Sequence, residues 1–348
     1  MKGQIPKCAP PLTGPNGVGA SFDPVGQRDR LCSAFGHAGM VYSRSCMGKL
    51  ADYVQKWKLL DPQPLAVTAT SRLYAVMWNE QPAVLKLFTA AGMQDEKHGA
   101  LALQWFNGKA AVRLLSSDDQ AQLLEYADGE NLKSLVQKGA DEKASIIIAN
   151  VLNTLHCAHP GPAPQGLTTL KSRYRSLFKK AKQDAGEGIT SVYTKAADIA
   201  GKLLAAEKDF CILHGDMHHE NVKYSAKRGW LAIDPKGLYG ERTYDAANVL
   251  CNPTGMDDFV ANEARLIRTA EILAQVLRLD MGRLLAFTFA HASLSASWSL
   301  EDGEDPSLAL KIADIAESLY RKGSRLTPAS PPDRRSPVTR PSSPDRSE

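Results

Sequence analysis

CILHGDMHHENVKYSAKRGWLAIDPKG, residues 211–237, is the stretch around which the rest of the chain organises itself. An apolar run, Phe210–Leu213, reads as a strand and ends in His214, Gly215 and Asp216. Asn221 follows five residues after Asp216. A second apolar run, Trp230–Ile233, reads as another strand and delivers Asp234, with Gly237 shortly after. The pattern predicts a strand–loop–strand hairpin with two carboxylates and an amide at its open ends. Three chemistries draw on such residues. They are polar side chains that merely cap turns, a metal cluster of His214, Asp216, His218 and His219, and phosphoryl transfer.

Phosphoryl transfer from a nucleotide needs one carboxylate to orient an attacking hydroxyl and accept its proton. It needs a second carboxylate and an amide oxygen to hold Mg²⁺ against the phosphates. The Asp216-to-Asn221 spacing equals that of the kinase loop HRDxxxxN, and Asp234 lies where the kinase DFG aspartate lies. A turn cap accounts for a lone His-x-Asp but not for the added asparagine, strand and Asp-x-x-Gly. A dinuclear metallohydrolase needs further ligands at other strand ends, and the helical sequence after residue 257 offers few.

Upstream, PLAVTATSRLYAVMWNEQPAVLKLF, residues 64–88, is β-branched and aromatic, with a turn at NEQP, 79–82. It predicts three short antiparallel strands. Lys86 alternates with apolar neighbours there and fits the strand lysine that contacts α- and β-phosphates, although a strand lysine alone is commonly a solvated face residue. Before it, Leu50, Tyr53, Val54, Trp57 and Leu60 fall at helical spacing, and Asp61-Pro62 is expected to stop that helix. A helix near 92–106 and strands at 110–115 and 121–126 follow. Beyond Gly129, residues 131–137, 142–158, 167–184 and 190–207 read as helices, with Ile146, Ile147, Val151 and Leu155 marking a buried face. After the two short strands, helices resume at 257–277, 281–299 and 306–321. Strands first and helices later imply an α+β fold of two lobes. A small β-rich lobe spans residues 47–128, a larger helical lobe spans 129–322, and the cleft between them is the expected ligand site.

The two ends differ from this core. Residues 1–46 mix Pro, Gly, Ser and Cys without period, and a start at Met40 or Met47 would leave the upstream part as an extension. Residues 323–348 have almost no large apolar side chain and are expected to be disordered. The whole has 348 residues, 43% apolar and 23% charged, with a formal charge of +4. That small excess, without a basic stripe, argues against nucleic acid as a partner. Six cysteines without C-x-x-C spacing argue against a zinc knuckle and fit a reducing compartment. No eighteen-residue apolar run and no leader-like N-terminus are present, so a cytoplasmic protein without a membrane partner is expected. Nothing in the sequence marks an oligomeric state.

The segment 214–222, HGDMHHENV, resembles the aminoglycoside phosphotransferase group, which carries HGDxHxxN on a protein-kinase-like fold. With WLAIDPKGLYGERTYDAANVLCNP, 230–253, it resembles more closely the streptomycin 6-phosphotransferase and hydroxyurea phosphotransferase subfamily. The resemblance covers about residues 47–320. It implies ATP- and Mg²⁺-dependent phosphorylation of an antibiotic hydroxyl, with Asp216 catalytic and Asn221 and Asp234 on the metal. It implies Lys86 on the phosphates, paired with a helix glutamate. Glu96, in MQDEKHGALALQW (93–105), is the candidate, with Asp95 as the rival. In QLLEYADGENL, 122–132, Glu125 to Ala127 resemble the hinge that holds adenine through backbone groups. His214, His218 and Asp245 would support the catalytic loop, although an aspartate at a helix start is equally a cap. His219 stays unassigned. The turn Thr68-Ala69-Thr70-Ser71 departs from the kinase pattern, because it has no glycine. A cationic aminoglycoside calls for an acidic acceptor site. Trp298, Glu301, Asp302, Glu304 and Asp305 are candidates, with a solvated helix-capping loop as the plain reading. Hydroxyurea or another small hydroxylated metabolite is the alternative acceptor. A non-catalytic nucleotide-binding module is a further alternative, disfavoured because Lys86, Asp216, Asn221 and Asp234 are all present.

Overall fold

The computed structural model describes residues 44–90, 92–158 and 161–326. The expectations for the N-terminal stretch up to residue 43, including a start at Met40, and for the tail from residue 327 lie outside the described residues.

The small lobe begins with helix α1 (Arg44–Lys56). Five antiparallel strands follow: β1 (Leu60–Val67), β2 (Ser71–Trp78), β3 (Gln81–Phe88), β4 (Leu114–Ser117) and β5 (Ala121–Glu125). They are ordered β1-β2-β3-β5-β4. Asp61-Pro62 does not stop α1, which ends at Lys56; it lies inside β1. An edge strand tolerates proline because one of its sides donates to no neighbour, and the β1–β2 register shifts around these residues. Alternation sends Tyr74, Val76, Leu85, Leu87 and Leu123 to one face, where they form the lobe's core with Tyr53 and Leu59. Lys86 is out of phase with Leu85 and Leu87. It therefore points to the other face, beside helix α2 (Met93–Phe106).

The large lobe holds α3 (Lys133–Gln137), α4 (Asp141–His156), α5 (Leu170–Arg173), α6 (Arg175–Gly186) and α7 (Val192–Ala205). Later come α8 (Thr243–Leu250), α9 (Asp257–Val260), α10 (Glu263–Leu277), α11 (Met281–Asp302) and α12 (Ser307–Leu326). The helix expected over 167–184 is in fact a short strand, β6 (Thr168–Thr169), followed by α5 and α6. The buried stripe of α4 is Ile148, Val151, Leu152 and Leu155, whereas Ile146 is exposed. The helical period sets Ile146 about 200° from Ile148, so both cannot face the core. Helix α11 is the centre of the lobe, almost wholly buried from Leu284 to Ser297. Its interior hydroxyls stay satisfied because Thr288 and Ser293 donate to carbonyls one turn back, at 2.8 and 2.9 Å.

The site sits on short strands between these helices. β7 (Phe210–Leu213) pairs antiparallel with β10 (Leu238–Glu241), and β10 pairs in parallel with β6. β8 (Val222–Ser225) and β9 (Gly229–Ala232) form a separate hairpin, closed at Gly229 with φ +74°. The single hairpin expected from the two apolar runs is thus two structures. β8 and β10 were not evident because Lys223, Tyr224, Gly240 and Glu241 break the apolar pattern of four-residue strands. The β8–β9 hairpin also ties the lobes together. Val112 N donates to Ala232 O at 3.0 Å, and Ala232 N donates to Ala110 O at 2.8 Å. No helix among the described residues is long and apolar enough to cross a membrane.

Candidate active site

The loop after β7 is held from beneath by one buried carboxylate. Asp245, in the first turn of α8, accepts from His214 N at 2.9 Å and Gly215 N at 2.8 Å. It also bonds His156 Nε2 of α4 at 2.9 Å. It caps no helix, since α8 has no side-chain cap. His214 is buried, and burial pushes its pKa below the ordinary value against the pull of Asp245 and Asp216. The ring is therefore neutral. Nε2–H donates to Ile233 O at 2.8 Å, and Nδ1 accepts from Asp216 N at 3.3 Å. The loop is thereby fastened to the end of β9, and Asp216 and Asp234 are brought to one place.

Asp216 accepts from Asn248 Nδ2 at 3.3 Å and keeps 32% of its side chain exposed. Burial raises its pKa, but the charges of His218, Lys236 and Arg173 outweigh burial and lower it, so Asp216 is ionised. Asn221 Nδ2 donates to Asp216 O at 3.0 Å, and Asn221 O accepts from Ile233 N at 2.9 Å. His218 lies 4.0 Å from Asp216, and its Nδ1 meets Glu220 at 3.0 Å; Glu220 in turn meets Lys133 at 3.2 Å. His219 is fully buried, with neither ring nitrogen partnered among the described residues, and burial pushes its pKa down to about 3. Among the described residues no three His, Cys, Asp or Glu side chains converge as a metal cluster.

Three elements meet at Lys86. Its Nζ is 2.5 Å from Glu96 Oε2 on α2 and 2.5 Å from Asp234 Oδ1 after β9. Lys86 and Glu96 are buried, while Asp234 keeps 36% of its side chain exposed. Burial works to raise Asp234, but Lys86 and Lys236 hold it far below the carboxylate range. Glu96 also accepts from Thr70 Oγ1 at 3.0 Å, so the turn 68–71 is tied to the same ion pair. The side chain of Asp95 is outside the described residues. The glycine absent from that turn stands opposite it. A Cβ on Gly92 would lie 2.1 Å from Thr70 O, so only glycine lets the segment before α2 press against the turn.

At the junction of the lobes, Glu125 N donates to Arg113 O at 2.9 Å, and its carboxylate accepts from Arg113 N at 2.9 Å and pairs with Arg228. Its backbone N–H is therefore already used. Ala127, just beyond β5, is buried and makes no backbone hydrogen bond among the described residues. Of the acceptor candidates, Trp298 is the one linked to the loop 214–221 among the described residues. Arg173 stacks on its ring at 4.3 Å and reaches Tyr244 OH at 3.3 Å and Gly215 O at 3.5 Å. Glu301 is taken by Ser176 at 2.7 Å and Lys179 at 2.9 Å, and Asp305 by Ser307 at 2.6 Å. Asp302 and Glu304 are exposed at the end of α11. Sequence reasoning missed Lys236, Arg173, His156 and Asn248. Lys236 had a signal, since it follows the second carboxylate within the quoted segment. The other three are distant in sequence and are assembled only by the fold.

The family model for the aminoglycoside/hydroxyurea antibiotic resistance kinases matches residues 56–303. A streptomycin 3''-kinase from Klebsiella pneumoniae is 36% identical, covering 72% of this chain and 92% of its own. A streptomycin 6-kinase from Streptomyces griseus is 27% identical, covering 87% and 99%. Among solved structures, a thermostable mutant of aminoglycoside phosphotransferase APH(4)-Ia, in ternary complex with ADP and hygromycin B, has the same fold. Its TM-score is 0.56 at 16% identity, covering 79% of this chain and 98% of that one. With the two-lobed protein-kinase-like fold in place, this chain belongs to the aminoglycoside/hydroxyurea antibiotic resistance kinase family and is a phosphotransferase.

Proposed function

We propose that this chain moves the γ-phosphoryl group of ATP, with Mg²⁺, to a hydroxyl of an aminoglycoside, streptomycin foremost. The observation that carries this reading is the convergence of Lys86, Glu96 and Asp234 in one ion-pair cluster, with Asp216 tied beside it through His214. In this reading Glu96 holds Lys86 against the α- and β-phosphates, and backbone groups from Glu125 to Ala127 meet adenine, other than Glu125 N, which already donates to Arg113 O. Asn221 and Asp234 hold Mg²⁺. The donor set fits that ion, because both are hard oxygen ligands. The Asn221 amide nitrogen is already engaged by Asp216 O, which leaves Oδ1 as the coordinating atom. When bound, Mg²⁺ neutralises charge on the β- and γ-phosphates.

Asp216 orients the acceptor hydroxyl and accepts its proton as the new O–P bond forms. Its ionised state and its bond to Asn248 fit that task. His214, Asp245 and His156 keep the loop rigid, and positioning of this kind supplies about 7–11 kcal/mol of such a barrier. The names of the two streptomycin kinases support streptomycin as acceptor. Trp298 with Arg173 forms the near wall of the acceptor side, and Asp302 and Glu304 are the acidic groups left open to a guanidinium. ADP release from ATP and Mg²⁺ should rise with streptomycin and not with hydroxyurea, and NMR of the product identifies the hydroxyl. Stimulation by hydroxyurea alone would replace the acceptor while keeping the phosphotransferase.

A further inference from the structure

Lys236 has no task in the reading above, yet it is a largely enclosed cation beside the site's carboxylates. Its ammonium is 3.2 Å from Asp234 Oδ2, the carboxylate oxygen that Lys86 does not take. Its charge also lowers Asp216, and the charges of Asp234, Glu96 and Asp216 act on it in turn. Its side chain is only 24% exposed.

The backbone there is clamped. Lys236 N and Gly237 N both donate to His214 O, at 2.7 and 3.3 Å, which binds the segment to the catalytic loop. On the other side it presses against α2. A Cβ on Gly237 would stand 2.0 Å from His98 O, and one on Gly99 would stand 2.3 Å from Pro235 O. Gly237 also has φ +63°, which favours glycine. Lys236 is thus seated on a wedge between the helix that carries Glu96 and the loop that carries Asp216.

Charge gives the wedge its purpose. Glu96, Asp216 and Asp234 bring three negative charges; Lys86 and Lys236 both sit on Asp234, and Arg173 adds its charge beside Asp216. Without Lys236, Asp234 would lose one of its two ammonium partners, and Asp216 one of the positive charges near it. The turn 68–71 has no glycine to bring its backbone close to phosphate, and two of its N–H donors are spent inside it, Thr68 N on Ser71 O at 2.9 Å and Ser71 N on Thr68 Oγ1 at 3.0 Å. A compact, strongly hydrated ammonium suits a phosphoryl oxygen as a point charge.

We propose that Lys236 is a second phosphate-binding residue, which contacts the γ-phosphoryl between Asp216 and Asp234 while Lys86 serves the α- and β-phosphates. This rests on the ATP-dependent reading above. Equilibrium binding of ATP and of ADP by calorimetry, with Mg²⁺ and no acceptor, tests it without turnover. Lys236→Met should weaken ATP about 10- to 100-fold, the worth of one charge-assisted hydrogen bond, while leaving ADP within about two-fold. Lys86→Met should weaken both nucleotides, and Lys236→Arg should keep most of the preference for ATP. Lys236→Gln keeps a polar tip against Asp234 and serves should the Met variant lose its cooperative melt. Equal losses for ATP and ADP, or none for either, would overturn the assignment of Lys236 alone. A wild-type protein that binds no ATP would overturn the function reading as well.

Discussion

Asp245 is the residue on which the site's geometry depends. It satisfies two backbone N–H groups and one imidazole while fully buried. Asp245→Ala leaves all three without their acceptor, and breaking a buried charged network of this kind costs about 3–5 kcal/mol. Chemical denaturation should report a loss of that order, and a loss below about 1 kcal/mol would mean that the loop is held by other means. His291 offers a pH signature. It is buried on α11, is acted on by the charges of Arg173, Asp216 and Asp245, and meets Tyr244 OH at 3.2 Å. Burial first, and the charge of Arg173 second, push its pKa down to about 4. Unfolded, the ring takes up its proton near its ordinary value of 6.5. As pH falls, the unfolded chain is protonated first. The stability that neutral His291 supports is therefore complete above pH 6.5 and is lost as pH falls toward 4. The loss is at most about 3 kcal/mol. His291→Gln should flatten the stability profile across that window, and parallel profiles would count against the assignment.

At the scale of elements, the close approach of α2 to the 235–237 segment sets the distance between Glu96 and Asp216. Gly237→Ala adds a Cβ where His98 O already stands and strains a left-handed backbone. Overpacking of this sort costs about 1–3 kcal/mol. Its effect on kcat should exceed its effect on KM for the acceptor, because the acceptor side is untouched; an unchanged kcat would show that α2 simply yields. Steady-state kinetics makes that comparison. The three strands around Lys86 were legible because residues 64–88 are enriched in β-branched and aromatic side chains and broken by the turn residues at 79–82. The four-residue strands β8 and β10 were not, since they contribute too few residues to show a period and include Lys, Tyr, Gly and Glu. Ile146 misled for the same reason: three consecutive isoleucines leave the phase of a helix undetermined until packing chooses Ile148.

For the molecule as a whole, two lobes meet along a line that the β8–β9 hairpin stitches at Ala110, Val112 and Ala232. The junction brings Lys86 and Glu96 of the small lobe onto Asp234 of the large one, with Asp216 beside it through His214. These four were readable in the sequence because their chemistry demands particular side chains at fixed spacings. Arg173, His156 and Asn248 were not, because their roles arise from packing across tens of residues. The acceptor side was the least legible. Its expected acidic residues divide between Glu301 and Asp305, which are paired locally, and Asp302 and Glu304, which are open. The central claim is that Asp216 acts on the acceptor hydroxyl while the nucleotide is held by other residues. It is tested most directly by comparing streptomycin-dependent ADP release and ATP affinity in the wild type and Asp216→Ala. ATP affinity should stay close to wild type while turnover falls by at least about 10²-fold. Normal turnover in the variant would contradict the account.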